Sequence, residues 1–396
     1  MISFEPSDDE KEILKTVERF AEVEVRATMR DIEAAGRPPE ELRRKYHEMG
    51  LGMLNYPETV GGSGMGQVTR ALIEEALSFG DPGAAIGLDG PGLAGLAILE
   101  LGEGAHDERY LAPFAGPDAH LRTAALALLE PKPVADWCSL ATHARETAAG
   151  YLLDGAKSFV VNGADADFYV VFASFDPAKG WDGLAAFVVE KGTPGVTVTE
   201  PILTCGLNGV PIVDLTLDGV VVPKAARLSG RGDFAGGFRR FLARARVVNA
   251  ARIVGLSRAA CEYAIRYAEE RTAFGKPIGH HQGLSWMIAD IATEVDAARW
   301  MVWKAAWEVD HARPSAERAS IQALVQANEM AKKVTNDGVQ VLGGAGFIRD
   351  YPVEKWYRDA RTLAFVLGTD PMDNSRAATL TFTSDGESPL DSLSCV

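Results

Sequence analysis

The sequence is poor in the features that mark stapled, secreted or membrane-embedded chains. It has 4 cysteines in 396 residues, Cys138, Cys205, Cys261 and Cys395, far apart and with no C-x-x-C pair. That spacing argues against a disulfide scaffold or a zinc framework and suits a reducing cytoplasm. No run approaches about 18 uninterrupted apolar residues. The opening MISFEPSDDEKEILK puts acids where a signal peptide has its basic flank, so neither secretion nor a membrane span is expected. Basic residues are in deficit, 40 Lys and Arg against 55 Asp and Glu, for a net charge of -15. That balance argues against a nucleic-acid surface as the chain's main purpose. What remains is a globular composition, 47% hydrophobic and 24% charged, in a chain long enough for two or three domains at roughly 150 residues each.

Three textures follow one another. Residues 1–120 carry helical periods; Ser7 with Glu10 forms a capping-box signal ahead of Ile13, Leu14, Val17, Phe20 and Ala21. The segment NYPETVGGSGMG at 55–66 breaks the pattern and reads as a glycine-rich loop. A phosphate-binding role for it is weakly signalled, because no strand precedes it. Residues 121–228 change to short β-branched and aromatic runs separated by turn signals, a β domain with antiparallel strands, in which Asp154-Gly155 has the chemistry of a tight hairpin turn. Residues 229–383 return to three long helical stretches rich in small residues, an antiparallel bundle. The polar segment 384–396 reads as a loose tail. The fold class is α+β, in the order helical, β, helical bundle.

Among single residues, His280-His281 is the only adjacent histidine pair. It reads as a loop before a helix, with no spacing that resembles a metal site. Trp300, Trp303 and Trp307 make one helical stripe suited to core or subunit packing. The run Arg231, Arg239, Arg240, Arg244, Arg246, Arg252 and Arg258 is conspicuous in an acidic chain. Two readings stay open: a solvated helix face, or a surface for the phosphates of CoA or the acidic helix of an acyl carrier protein.

Several stretches together resemble the acyl-CoA dehydrogenase family over nearly the whole chain. EERTAFGKPIGHHQ (269–282) resembles its R-x-x-F-G signature. VQVLGGAGFIRDYPVEKWYRDAR (339–361) resembles its Q-x-x-G-G-x-G signature and the Y-P-x-E-x-x-Y-R-D run that follows. ALLEP, KSFVVNG and DGVVVPKA resemble its β-domain motifs, and PETVGGSGMG its early loop. The resemblance implies an FAD enzyme, a homodimer or homotetramer, that removes two hydrogens from an acyl thioester borne by CoA or by an acyl carrier protein. It implies that Arg271 neutralises the FAD diphosphate and that Phe274 and Gln282 support the adenosine part. It further implies that Gln340, Gly343, Gly344 and Gly346 receive a neighbouring subunit's cofactor, with Gly368 and Thr369 near the diphosphate. A plain helix-ending loop is the other reading of 343–346. Arg246 is a candidate substrate contact.

The chain departs from the family at the flavin ring and at the catalytic base. Leu129 and Val161 stand where the family has hydroxyl side chains, and Lys132, Pro133, Val134, Ala135 and Asp136 replace a G-A-G-S-D turn. Three lost hydrogen bonds would weaken FAD by roughly a hundredfold. Leu367 and Ala245 occupy the family's two positions for the glutamate that removes the α proton; Asp370, three residues past Leu367 with a shorter side chain, is a candidate substitute. A positioned base contributes about 10²- to 10⁴-fold, so ordinary α,β-dehydrogenation should be slow. The leading expectation is a divergent flavoprotein with an altered catalytic centre. The alternatives are a non-catalytic subunit completing the FAD site of a homologous partner in a hetero-oligomer, and a flavin-independent enzyme on the same scaffold.

Overall fold

The computed structural model describes residues 5–132 and 139–368; the expectations for Thr369, Asp370, the 133–136 turn and the 384–396 tail lie outside them. The first segment is helical: α1 (Asp8–Phe20), α2 (Arg26–Ala35), α3 (Glu40–Glu48), α4 (Gln67–Gly80), α5 (Pro82–Leu88), α6 (Gly92–Leu101) and the short α7 (Gly104–His106). The Ser7–Glu10 capping box is formed in both directions, and it starts α1 where the sequence signals it. The glycine-rich loop ends at α4, whose first N–H groups are already occupied. Asp310 accepts from Gln67 N at 2.6 Å and from Val68 N at 3.0 Å. A carboxylate thus sits where a phosphate would, and the loop acts as a connection.

The middle segment is a sheet of β1 (Ala124–Ala127), β2 (His143–Thr147), β3 (Gly150–Val161), β4 (Phe168–Ser174), β5 (Leu184–Glu190), β6 (Val196–Val198), β7 (Ile212–Val222) and β8 (Arg227–Leu228). Its strand order is β6-β7-β3-β2-β4-β5-β8, with β1 beside β4. Most pairs are antiparallel; β1 runs parallel to β4, and β2 meets β4 in parallel at one residue pair. One expectation is corrected. Asp154-Gly155 is no hairpin turn but lies inside β3, at a register shift between Leu153 and Gly155 against β7. Gly155 has φ +151°, and a Cβ there would sit 2.6 Å from Thr142 Cα, so this glycine answers a bulge and a close approach. The hairpin turn lies earlier, at Ala148-Ala149 between β2 and β3, where Thr147 pairs with Gly150.

The last segment holds α8 (Phe234–Glu270), a small hairpin of β9 (Thr272–Ala273) and β10 (Lys276–Pro277), then α9 (Gln282–Asp310), α10 (Ala316–Leu342) and α11 (Val353–Leu363). One continuous core joins residues of the first helices, one face of the sheet and the bundle, including Phe79, Phe172, Phe238, Phe241 and Trp356. The sheet's other face keeps a core of its own, built on Tyr151, Leu153, Tyr169, Phe187 and Leu215. Among the described residues no single helix is long and apolar enough to cross a membrane, and no group of three His, Cys, Asp or Glu side chains could hold a metal.

Candidate active site

A narrow cleft, with a cavity volume of about 40 Å³, opens where the three segments meet. Its walls come from α5 and α6 (Ile86, Leu93), from β1 and the residues after it (Leu126, Leu128, Leu129), from the end of β3 (Phe159, Val161, Asn162), from Arg252 on α8 and from Val366 after α11. The structure therefore brings together the positions that the sequence marks as altered. Leu129 and Val161 present hydrocarbon to the same space, and Leu367 is buried beside the lining residue Val366. Ala245 is fully buried on α8. Seven residues separate Ala245 from Arg252, which puts them on one face of that helix, two turns or about 10 Å apart.

The β3 end is shaped by backbone conformation. A second register break lies between Lys157 and Val160, and Phe159 and Asn162 take left-handed φ values of 56° and 62°. Phe159 is bulky enough for that conformation to be strained. Asp214 holds it, accepting from Ser158 Oγ at 2.7 Å and from Phe159 N at 3.1 Å. Asn162 donates Nδ2 to the Ile86 carbonyl at 3.3 Å, tying the sheet to α5.

No carboxylate lines the cleft among the described residues. Glu130, which directly follows Leu129, turns away to accept from Ala141 N, Thr142 N and Thr142 Oγ1, each at 2.7 Å, and from the fully buried Lys157 at 3.1 Å. Burial alone would raise the Glu130 pKa, but Lys157 and these donors outweigh it and hold the carboxyl at about 2. Burial brings Lys157 down to about 8 despite Glu130. A carboxyl so held is a clamp, not a proton acceptor at neutral pH.

Behind Arg252 lies a group of charges that the sequence reading did not find. Arg252 donates Nε to Glu74 Oε2 at 2.6 Å, and Nη2 to Glu74 Oε1 and Asp89 Oδ2, both at 3.1 Å. Arg70 meets the same two acids, Glu74 at 2.5 Å and also Asp89. All four side chains are at most 2% exposed. Burial would raise the Glu74 pKa; Arg252 and Arg70 overcome it and keep the carboxyl ionised, with its pKa lowered.

This corrects the reading of the arginine run as one solvated face. Arg231 and Arg240 are exposed, but Arg246 and Arg252 are buried, and Arg258 pairs with the buried Glu75 at 3.0 Å. Spacing in sequence cannot distinguish an arginine that faces water from one that faces a buried acid on another helix. Arg246 is buried and is not among the residues lining the cleft.

The residues implied for FAD lie elsewhere, on the bundle surface. Phe274-Gly275 is the two-residue turn of the β9–β10 hairpin, with φ 54° and 81°. Glycine suits that geometry and phenylalanine does not. Phe274 is also 94% exposed, with only His281 near its ring edge. The Arg271 side chain is exposed and makes no hydrogen bond or ion pair among the described residues. Gln282 opens α9 and Gln340 lies near the end of α10, both exposed. Gly343 ends α10 at φ 59°. A Cβ on Gly344 would meet nothing, whereas one on Gly346 would collide with Val339 O at 2.5 Å. The chain's own packing thus accounts for Gly346 and not for Gly344. His280 and His281 form the bend before α9, as expected. Of the tryptophan stripe, Trp303 packs on the core, while Trp300 and Trp307 stay 44% and 48% exposed.

The Y-P-x-E-x-x-Y-R-D run is structural. Lys355 pairs with Asp359 at 2.6 Å and with Asp81, Asp359 accepts from Leu207 N at 2.7 Å, and Arg358 pairs with Glu33 at 2.7 Å. These contacts bind α11 to α5, α2 and the segment before β7.

Comparison with known proteins agrees with this architecture. Residues 7–117, 125–220 and 237–378 match the family models for the N-terminal, middle and C-terminal domains of acyl-CoA dehydrogenase. An acyl-CoA dehydrogenase of Bacillus subtilis is 36% identical, over 90% of this chain and 93% of its own length. The solved prolyl acyl carrier protein oxidase AnaB superposes with a TM-score of 0.87 at 25% identity, covering 96% of this chain and all of that one. The FAD complex of PigA gives 0.89 at 26% identity, covering 96% and 99%. With all three domain models matched in order and close relatives aligned almost end to end, the chain belongs to the acyl-CoA dehydrogenase family.

Proposed function

We propose that this protein is a cytoplasmic, FAD-binding homo-oligomer that takes an acyl thioester of CoA or an acyl carrier protein into the cleft and acts on it with an altered catalytic centre. One observation carries the reading: the cleft combines hydrocarbon walls with a buried arginine, and no carboxylate borders it among the described residues. The fit for FAD divides in two. On the bundle surface, Arg271, which has no side-chain partner among the described residues, the strained and exposed Phe274 and the open cradle at Gly344 suit a diphosphate and an aromatic base. In the cleft, Leu129 and Val161 offer a ring no hydrogen bonds. Bound FAD supplies a hydride acceptor at such a site.

The chain's own residues define what the site lacks. Proton removal from the α carbon needs a base within reach, and Leu367 and Ala245 have none to offer. Glu130 is committed to Lys157 and Thr142, and Glu74 and Asp89 to two arginines. The hydrocarbon walls exclude water and fit an acyl chain.

The contrast between intact outer residues and an altered inner wall also favours a second reading, a subunit that completes a homologue's FAD site while doing no chemistry itself. Visible spectra of the purified protein, with and without added FAD, separate the two. The first reading predicts about one flavin per chain, bleached by an acyl thioester. Colourless protein that gains activity only when mixed with a homologue would establish the second.

A further inference from the structure

Arg252 is an unusual feature of an otherwise apolar cleft. Asn162, the other polar side chain in the lining, spends its amide donor on the Ile86 carbonyl. Arg252 is 2% exposed and is fixed through Nε and Nη2 by Glu74 and Asp89, while Nη1 has no hydrogen-bond partner among the described residues. Nη1 is not one of the buried atoms left without a partner, so it keeps some solvent exposure, and its residue is part of the cleft wall, which leaves this donor open to a ligand. The charge balance says what kind of partner it takes. Arg70 and Arg252 are matched one for one by Glu74 and Asp89, so the cluster has no net charge with which to offset a buried anion. A neutral oxygen can accept from Nη1 without being ionised in a hydrocarbon cavity, whereas a carboxylate brings an uncompensated charge.

We infer that Arg252 is a specificity-determining residue that donates a hydrogen bond from Nη1 to a neutral oxygen, a hydroxyl, carbonyl or ether, on the substrate's acyl group. The inference rests on the acyl-thioester reading above and narrows it to oxygen-bearing acyl groups. Its position, two helical turns from Ala245, places this contact well away from the carbon that a base at that position would serve.

The test is calorimetric binding of three thioesters to the full chain with FAD added: hexanoyl-pantetheine, its ω-hydroxy counterpart and its ω-carboxy counterpart. The hydroxy compound is expected to bind about tenfold or more tighter than hexanoyl-pantetheine. Arg252→Met is expected to abolish that preference, so that the hydroxy compound binds no tighter than hexanoyl-pantetheine to the same variant, and Arg252→Lys to restore part of it. Because Arg252→Met leaves two buried acids to one arginine, the same measurement is made on Arg252→Met/Asp89→Asn, which keeps the cluster neutral. Equal binding of the hydroxy and alkyl compounds by the unaltered protein overturns the inference and leaves the thioester reading standing. So does a preference that survives in a folded Arg252→Met variant. Tightest binding of the carboxy compound overturns the choice of a neutral oxygen. Failure of all three to bind removes the thioester reading itself.

Discussion

Ala245 and Leu367 are the two places where one side chain decides the chemistry. If the scaffold is otherwise competent, Ala245→Glu or Leu367→Glu should raise the rate of α-proton exchange or dehydrogenation of an acyl thioester by about 10²- to 10⁴-fold, measured by deuterium uptake or dye reduction. No gain from either would mean that more than the base has been lost. Glu130 makes a different prediction. Its folded pKa of about 2 lies below the ordinary 4.5, so the stability it contributes is present above pH 4.5 and is lost as pH falls toward 2. The amount is on the order of 3 kcal/mol. Glu130→Ala should flatten that part of the urea-stability profile. At neutral pH it should cost about 3–5 kcal/mol, since it leaves the buried Lys157 without its partner. At this scale the sequence showed which residues depart from the family, because replaced hydroxyls and carboxylates are visible one position at a time. Arg252 was not legible as a cleft residue. Its meaning depends on Glu74 and Asp89, which lie more than 160 positions away in the chain.

Among the elements, α8, α9 and α10 were readable from long runs with helical spacing and small residues, and the capping box located the start of α1. The middle strands were readable as strands but not in their pairing. Asp-Gly carries the same turn chemistry whether it ends a strand or kinks one, and only the approach of Thr142 tells the cases apart. Gly155→Ala should therefore destabilise the sheet through strain at φ +151° and collision with Thr142, by about 1–3 kcal/mol, read as a shift in the urea midpoint. A variant as stable as the original would show that β3 can shift to make room. The β9–β10 turn makes the opposite case. Phe274→Asn suits the turn's φ better, so it should leave the fold as stable or more so while weakening FAD, measured by flavin fluorescence. Unchanged FAD affinity would remove Phe274 from the cofactor site.

At the level of the molecule, the helical, β, helical order and the three segments were legible from texture alone, because hydrophobic periodicity is a local property. How the segments share cores was not, since burial depends on partners distant in sequence. If FAD is held between subunits, as the exposed positions of Phe274, Gln340 and Gly344 suggest, flavin occupancy should fall as the protein is diluted into monomers. Sedimentation and flavin absorbance measured on the same dilution series check this; occupancy that persists in isolated monomers would place FAD within one chain. The four-charge cluster has a last consequence. Arg70 and Glu74 belong to α4, Asp89 follows α5, and Arg252 sits on α8, so the first and last helical segments are locked together through buried charge, while the outer face of the sheet has a core of its own. Hydrogen exchange should find two cooperative units, one assembled from both ends of the polypeptide and one from its middle, with the middle free to open first.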